Sequence, residues 1–268
     1  MLRDITLGQY YQTDSVLHRM DCRVKLVGTL AFIIALFVVD NVWGYLLAAA
    51  FLGVCIRLSK VPFKFIVKGM KTIVFLMLFA VVFNLFLTPG TPVITVWKLS
   101  ITQEGIRMAL KMAIRLTMLI IGSSLMTLTT TPNHLTDGLE SLLSPLKKLR
   151  VPVHEVAMMM SIALRFIPIL LEETDKIMKA QIARGADFES GNLIQKAKAM
   201  VPLLVPLFIA AFRRANDLAM AMEARCYRGG EGRTKMKPLI YKKNDYIAYG
   251  VLAAYLVVSI VVGRILPI

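Results

Sequence analysis

Five apolar runs separated by short polar segments constrain this chain more than any other feature: Leu26–Val39, Val42–Leu58, Thr72–Leu87, Leu116–Leu128 and Tyr246–Val262. In hydrocarbon every backbone N–H and C=O must be satisfied internally, so such runs span a bilayer as helices. Each is somewhat shorter than the ~20 residues that cross a ~30 Å core, and snorkelling of Lys25, Arg57 and Lys60 extends the first two. Hydrophobic residues make up 57% of the chain, against a soluble norm of about 45–50%. The first 23 residues are polar and lack a cleavable apolar core, so the first run reads as a permanent anchor.

The polar segments give the orientation. Asp40-Asn41 is a turn tight enough to make its two helices antiparallel neighbours. Arg57, Lys60, Lys64, Lys68 and Lys71 follow with no acidic residue among them, which places that loop in the cytoplasm. Thr88-Pro89-Gly90-Thr91-Pro92 is a turn signal. Beyond it an extended piece is expected over Val93–Trp97, with Trp97 as an interfacial anchor. Before the fourth run, Arg107, Lys111 and Arg115 share one helix face by their spacing of four. Arg115 either meets another subunit or snorkels outward. At the N-terminus, Asp14 is the expected cap of a short helix ending among basic residues; a solvated juxtamembrane segment is the alternative. Five spans with a cytoplasmic N-terminus put the C-terminus outside.

Between Asn133 and Asn244 the chain has 18 Lys and Arg against 11 Asp and Glu, a net of +7, and this segment is expected to be cytoplasmic. Leucines 135, 139, 142, 143 and 146 mark an amphipathic helix over Leu135–Leu149, with Pro145 kinking or ending it. Two longer helices are expected at Val153–Ala183 and Leu193–Ala224. Their apolar stretches, Val156–Leu171 and Val201–Phe212, are interrupted by Arg165, Pro168, Pro202 and Pro206, so both helices read as lying along the membrane surface. The fold expected is an all-α, multi-pass integral membrane protein with about five transmembrane helices. Its parts are a cytoplasmic segment 1–25, four spans in 26–130, a cytoplasmic helical domain 131–244 and a last span in 245–268.

Enzymatic chemistry is missing from this pattern. No Gly-x-x-x-x-Gly-Lys-Ser/Thr is present to cradle nucleotide phosphates. Gly229-Gly230-Glu231-Gly232-Arg233-Thr234 has the wrong spacing and reads as a helix stop. Glu172 and Glu173 point about 100° apart on a helix, so they read as a solvated face rather than an acid–base pair. Three cysteines and three histidines are scattered without ligand spacing. The chain is expected to be non-catalytic, with no cofactor and no metal. The net charge of +15 does not make it a nucleic-acid binder, because its cytoplasmic motifs lie in apolar helices.

Two short sequences remain, Ala183-Arg184-Gly185 and Ala224-Arg225-Cys226. They close the two long helices and stand 41 residues apart, an offset that also aligns Ala180 with Ala221. A cation at a helix C-terminus favours the macrodipole by ~0.3–1 kcal/mol, and Gly185 is a natural helix stop. A guanidinium beside a small residue also enters a groove and binds carboxylates bidentately, and the repetition favours this recognition role. Met158, Met159, Met160, Met178, Met200, Met220 and Met222 lie in the same helices, as core filling or as an adaptable contact surface.

Taken with Asp14-Ser15-Val16-Leu17-His18-Arg19-Met20-Asp21, Thr130-Thr131-Pro132, Leu164-Arg165-Phe166-Ile167-Pro168 and Glu223-Ala224-Arg225-Cys226-Tyr227-Arg228-Gly229-Gly230, these motifs resemble the transmembrane coupling subunit of energy-coupling factor transporters, the T component. The resemblance runs from about Gln9 to the final span. It departs at Cys22, where proline would follow the aspartate. It implies coupling helices whose Ala-Arg ends dock on two ATP-binding cassette ATPase subunits, Arg184 on one and Arg225 on the other. The same helices would hold a small substrate-binding membrane subunit in the lipid bilayer of the cell membrane. ATP hydrolysis in the partners would then drive uptake, of vitamins where the subunit is shared among several substrate subunits. A dedicated cobalt, nickel or biotin T component is the nearest alternative. A self-contained carrier or channel is the rival from another class; it needs polar residues converging in the spans, and apart from Asn84, Arg107, Lys111 and Arg115 these are sparse.

Overall fold

A computed structural model describes residues 10–96, 99–188, 192–230, 236 and 238–265. Among the described residues the regular structure is helical, as the apolar runs require, apart from one small hairpin. Two compact units share it: one is Gly8–Gly138 with Leu239–Ile268, and the other contains Leu139–Pro238.

The first unit begins with a four-residue helix, α1 (Val16–Arg19). Its cap is Ser15 rather than the expected Asp14: the Ser15 hydroxyl accepts the His18 N–H, and Asp14 is taken up by an ion pair with Arg19. Asp21 caps the next helix, α2 (Cys22–Val38), by accepting the Arg23 N–H. Cys22 thus occupies the first helical position, which proline also suits. It packs where a Cβ on Gly138 would come within 2.5 Å of its sulfur, so the helix start is closely fitted.

The turn after α2 works as the Asp40-Asn41 pair predicts. Asn41 caps α3 (Val42–Ser59) by accepting the Gly44 N–H and donates its amide to the Val262 carbonyl at 2.7 Å. Arg115, left open between two roles, is bound within the chain: it donates to Asp40 at 2.7 Å and to the Tyr45 hydroxyl at 3.2 Å. α4 (Phe63–Leu87) leads to a hairpin, β1 (Pro92–Val96) with β2 (Leu99–Thr102), antiparallel with Val96 opposite Leu99. The extended piece is therefore present; Trp97 lies outside the described residues. α5 (Gln103–Thr129) starts at a Thr102 cap, so Arg107, Lys111 and Arg115 lie inside a helix twice as long as its apolar part. α5 stops before Pro132, where α6 (Pro132–Leu143) begins.

The core of this unit forms where α2, α3 and α9 (Lys243–Ile265) meet. Phe32, Ala35, Leu36, Tyr45, Ala48, Leu52 and Tyr255 are buried together, and the rings of Phe51 and Tyr255 stack at 4.4 Å. Outward-facing Leu30, Phe37, Phe75, Phe79 and Val257 stay exposed, the pattern expected of surfaces that face lipid.

The second unit contains a 3-10 turn, Ser144–Leu149, then α7 (Val153–Ala183) and α8 (Leu193–Ala224). The turn shows Pro145 to be an early helix end rather than a kink. α7 and α8 have the expected boundaries and continue unbroken through their prolines.

Among the described residues, five helical segments are long and apolar enough to cross a membrane: Val42–Ser59, Gln103–Thr129, Val153–Ala183, Lys198–Ala224 and Lys243–Arg264. Three of them, α3, α5 and α9, contain spans anticipated from the sequence. α2 is apolar over most of its 17 residues, and the described part of α4 includes the apolar stretch Met77–Leu87. α7 and most of α8 qualify by length and composition, because their prolines do not break them.

Candidate functional site

The two Ala-Arg motifs end their helices in the same way. At the end of α7 the Gly185 N–H donates to the Ile182 carbonyl at 2.9 Å, and the Ala186 N–H to the Gln181 carbonyl at 3.0 Å. At the end of α8 the Cys226 N–H donates to the Glu223 carbonyl at 2.8 Å, and the Tyr227 N–H to the Met222 carbonyl at 3.0 Å. Both are Schellman ends, which satisfy the last free carbonyls and need a left-handed residue after the cap. Gly185 supplies it with φ +89°, and Cys226 does so with φ 56°. A side chain in that region costs roughly 1 kcal/mol, so Cys226 is held against its own preference. Ala183, Arg184, Gly185, Ala224, Arg225 and Cys226 are all exposed. Among the described residues, neither motif guanidinium has a hydrogen-bond or ion-pair partner.

The relation between the two ends comes from the packing of α7 on α8. Arg214 donates to Glu173 at 3.0 Å. Gln181 reaches Pro202, while Ile162 lies with Leu218 and Met222 around one cleft. Position rises along α7 as it falls along α8, so the helices run antiparallel. Arg184 and Arg225 therefore stand at opposite ends of the pair. Each is eleven residues beyond the central ion pair, which at 1.5 Å per residue separates them by about 30 Å.

The prolines have a use in this packing. Pro206 has no N–H to give to the Pro202 carbonyl four residues earlier. Gln181 fills the vacancy from the other helix, donating to that carbonyl at 3.2 Å. Beyond the second motif, Gly230 lies so close to His154 that a Cβ there would sit 2.5 Å from its ring. His154 is itself held by Glu140 at 2.9 Å. The segment after Arg225 is thereby fixed on the start of α7.

Some expectations change. Glu172 is exposed as expected, but Glu173 is half-buried in its ion pair rather than solvated. Met159, Met160, Met200 and Met220 are exposed, so core filling does not describe them, whereas Met158 and Met222 line the cleft between the helices. The dispersed histidines gave no hint of His154. The partners Glu173 and Arg214 were within reach, because the 41-residue offset that aligns the arginines also aligns these two; no such signal marked Gln181. Among the described residues, no group of His, Cys, Asp and Glu is placed to hold a metal.

Residues 13–236 match the CbiQ family, described as a cobalt transport protein. The chain is 57% identical over 267 residues to the energy-coupling factor transporter transmembrane protein EcfT of Clostridium kluyveri, covering 99% of this chain and 98% of that one. It is 54% identical to the protein of that name from Ruminiclostridium cellulolyticum, over 96% of both chains. With the one from Bacillus subtilis the identity is 46%, over 96% of this chain and 98% of the relative. Relatives this similar, matched from end to end, show that the chain belongs to the family of energy-coupling factor transporter transmembrane proteins.

Proposed function

We propose that this chain is the scaffold and energy-coupling subunit of an importer, and that α7 and α8 are its coupling helices on the cytoplasmic side of the membrane. The observation that carries this reading is the pair of matching, exposed arginine ends at opposite tips of one antiparallel helix pair. Two like ends about 30 Å apart suit two like partners, and the resemblance names those partners as two ATPase subunits. Arg184 would enter a groove on one and Arg225 a groove on the other, each guanidinium pairing with carboxylates. The exposed apolar faces of the two helices, with Met159, Met200, Phe208 and Phe212 on them, would seat the small substrate-binding membrane subunit. ATP-driven motion of the partners would pass along the helices to it. The chain itself would catalyse nothing.

The direct test is co-purification with the two ATPase subunits. Arg184→Glu or Arg225→Glu should each weaken association roughly 10-fold or more, the effect of losing a charge-assisted hydrogen bond. The double variant should retain neither ATPase. A double variant that assembles and transports normally would overturn the assignment. Uptake of vitamins, with this subunit shared, follows the resemblance. Recovery of several different small membrane partners from the host would support sharing, and one recurrent partner would support a dedicated metal or biotin system.

A further inference from the structure

The membrane unit has a cavity that none of this uses. α2, α3, α5 and α9 border a space of about 630 Å³, well within the ~300–1,000 Å³ of ligand pockets. Its walls are apolar: Phe32, Phe51, Leu125, Val251 and Leu252 line it. On α2 the lining runs from Val24 to Phe32, on α5 from Thr129 to Gly122, and on α9 from Asn244 to Leu252. At 1.5 Å per residue each wall is about 10–12 Å deep. Lys25, Thr129 and Asn244 all stand at the same end, beside Val16 and Leu17 of α1 and Met20 just after it, so the cavity is a greasy slot whose polar groups gather at one mouth. Val54 and Ile247 on its rim are exposed, which leaves it open towards lipid.

Lys25 is the distinctive group at that mouth. Its ammonium has three donors; one goes to the Thr129 carbonyl at 2.8 Å, and the other two have no protein partner among the described residues. Asp21 and Asp245 lie near enough to attract it, but neither forms an ion pair with it. Asp21 is bound to Arg23 at 2.8 Å, and Asp245 accepts the backbone N–H groups of Asp21 and Lys242 at 2.9 and 2.8 Å. Lys242 and Lys243 are exposed beside Asn244. The mouth is therefore cationic where the slot below it is apolar, and basic pockets between membrane helices bind anionic lipid headgroups.

We propose that this slot holds an acyl chain of an anionic phospholipid whose phosphate sits at Lys25. The test is native mass spectrometry on the full chain, taken from nanodiscs of equimolar phosphatidylglycerol and phosphatidylcholine. The wild type should retain phosphatidylglycerol over phosphatidylcholine by roughly fivefold. Lys25→Gln, which keeps a donor for the Thr129 carbonyl, should lose that preference, and Lys25→Arg should keep it. Ala248→Phe fills the slot without touching Lys25 and should remove the retained lipid of either kind. Equal retention of the two lipids by the wild type, retention of a free fatty acid instead, or undiminished phosphatidylglycerol in Ala248→Phe would each overturn the proposal.

Discussion

Glu173 and Arg214 bind each other across α7 and α8 at 3.0 Å, and each lies eleven residues before the arginine that ends its helix. The pair marks the centre of the two-helix arrangement and sets its register. Both side chains are partly open to solvent, so screening limits its strength to about 0.3–1 kcal/mol. Glu173→Arg and Arg214→Glu should each lower the thermal stability of the purified chain, and the charge-swapped double variant should recover most of the loss. Simple additivity in that cycle would mean the two residues do not communicate.

Cys226 and Gly185 occupy the same backbone position at the two motif ends, at φ 56° and +89°. Cys226→Gly should therefore stabilise the chain by roughly 1 kcal/mol, and Gly185→Ala should cost about as much. A Cβ at Gly185 meets nothing within 4 Å, so that variant isolates the backbone cost. Chemical unfolding of both variants measures the two effects. A destabilised Cys226→Gly would show that the thiol makes contacts worth more than the strain.

Gly230 has no room for a side chain, since a Cβ would lie 2.5 Å from the His154 ring. Gly230→Ala should cost about 1–3 kcal/mol, as overpacking does. Adding His154→Ala should recover part of it, visible as non-additivity in thermal melts. The same variant should weaken ATPase association through Arg225 and leave the Arg184 contact intact.

How much of this was legible in the sequence depends on the range of the interaction involved. The limits of α7 and α8 could be read because local chemistry sets them: Gly185 ends one helix and Asn192 begins the next with a capping box. Pro145 likewise announced the end of α6. Asp14 misled because its neighbour Ser15 has the geometry to cap, while Asp14 is drawn to Arg19. In α5 apolar content marked only the stretch Leu116–Leu128, and the spacing of Arg107, Lys111 and Arg115 carried the helix back beyond it. Arg115 could not be placed because its partners, Asp40 and Tyr45, are 75 and 70 residues away. The same is true of His154 and Gly230, and no spacing rule joins residues that meet only after the helices pack.

His18 gives a pH dependence. Its Nδ1 lies 2.7 Å from the Ser15 hydroxyl and its Nε2 3.0 Å from the Tyr11 carbonyl; the carbonyl requires the proton on Nε2, leaving Nδ1 to accept. Burial pushes its pKa below the usual histidine value, and the Tyr11 carbonyl opposes this only in part. The folded state thus favours neutral His18, while the unfolded chain protonates it below about pH 6.5. This contribution is present above that pH and is lost as pH falls from there through the lower folded value. Melting the wild type and His18→Gln at pH 7.5 and 5.5 checks this: the wild type should lose more stability on acidification. Equal losses would remove His18 from the account.

The equal spacing of the two arginines from the Glu173–Arg214 bridge has a mechanical consequence. Each arm is eleven residues, about 16 Å long, so the helix pair is a balanced beam with its fulcrum at the ion pair. A rigid turn of 10° about that point carries each tip about 3 Å, in opposite directions. In such a turn a push at one arginine would become an equal and opposite displacement at the other, with neither helix changing length or melting.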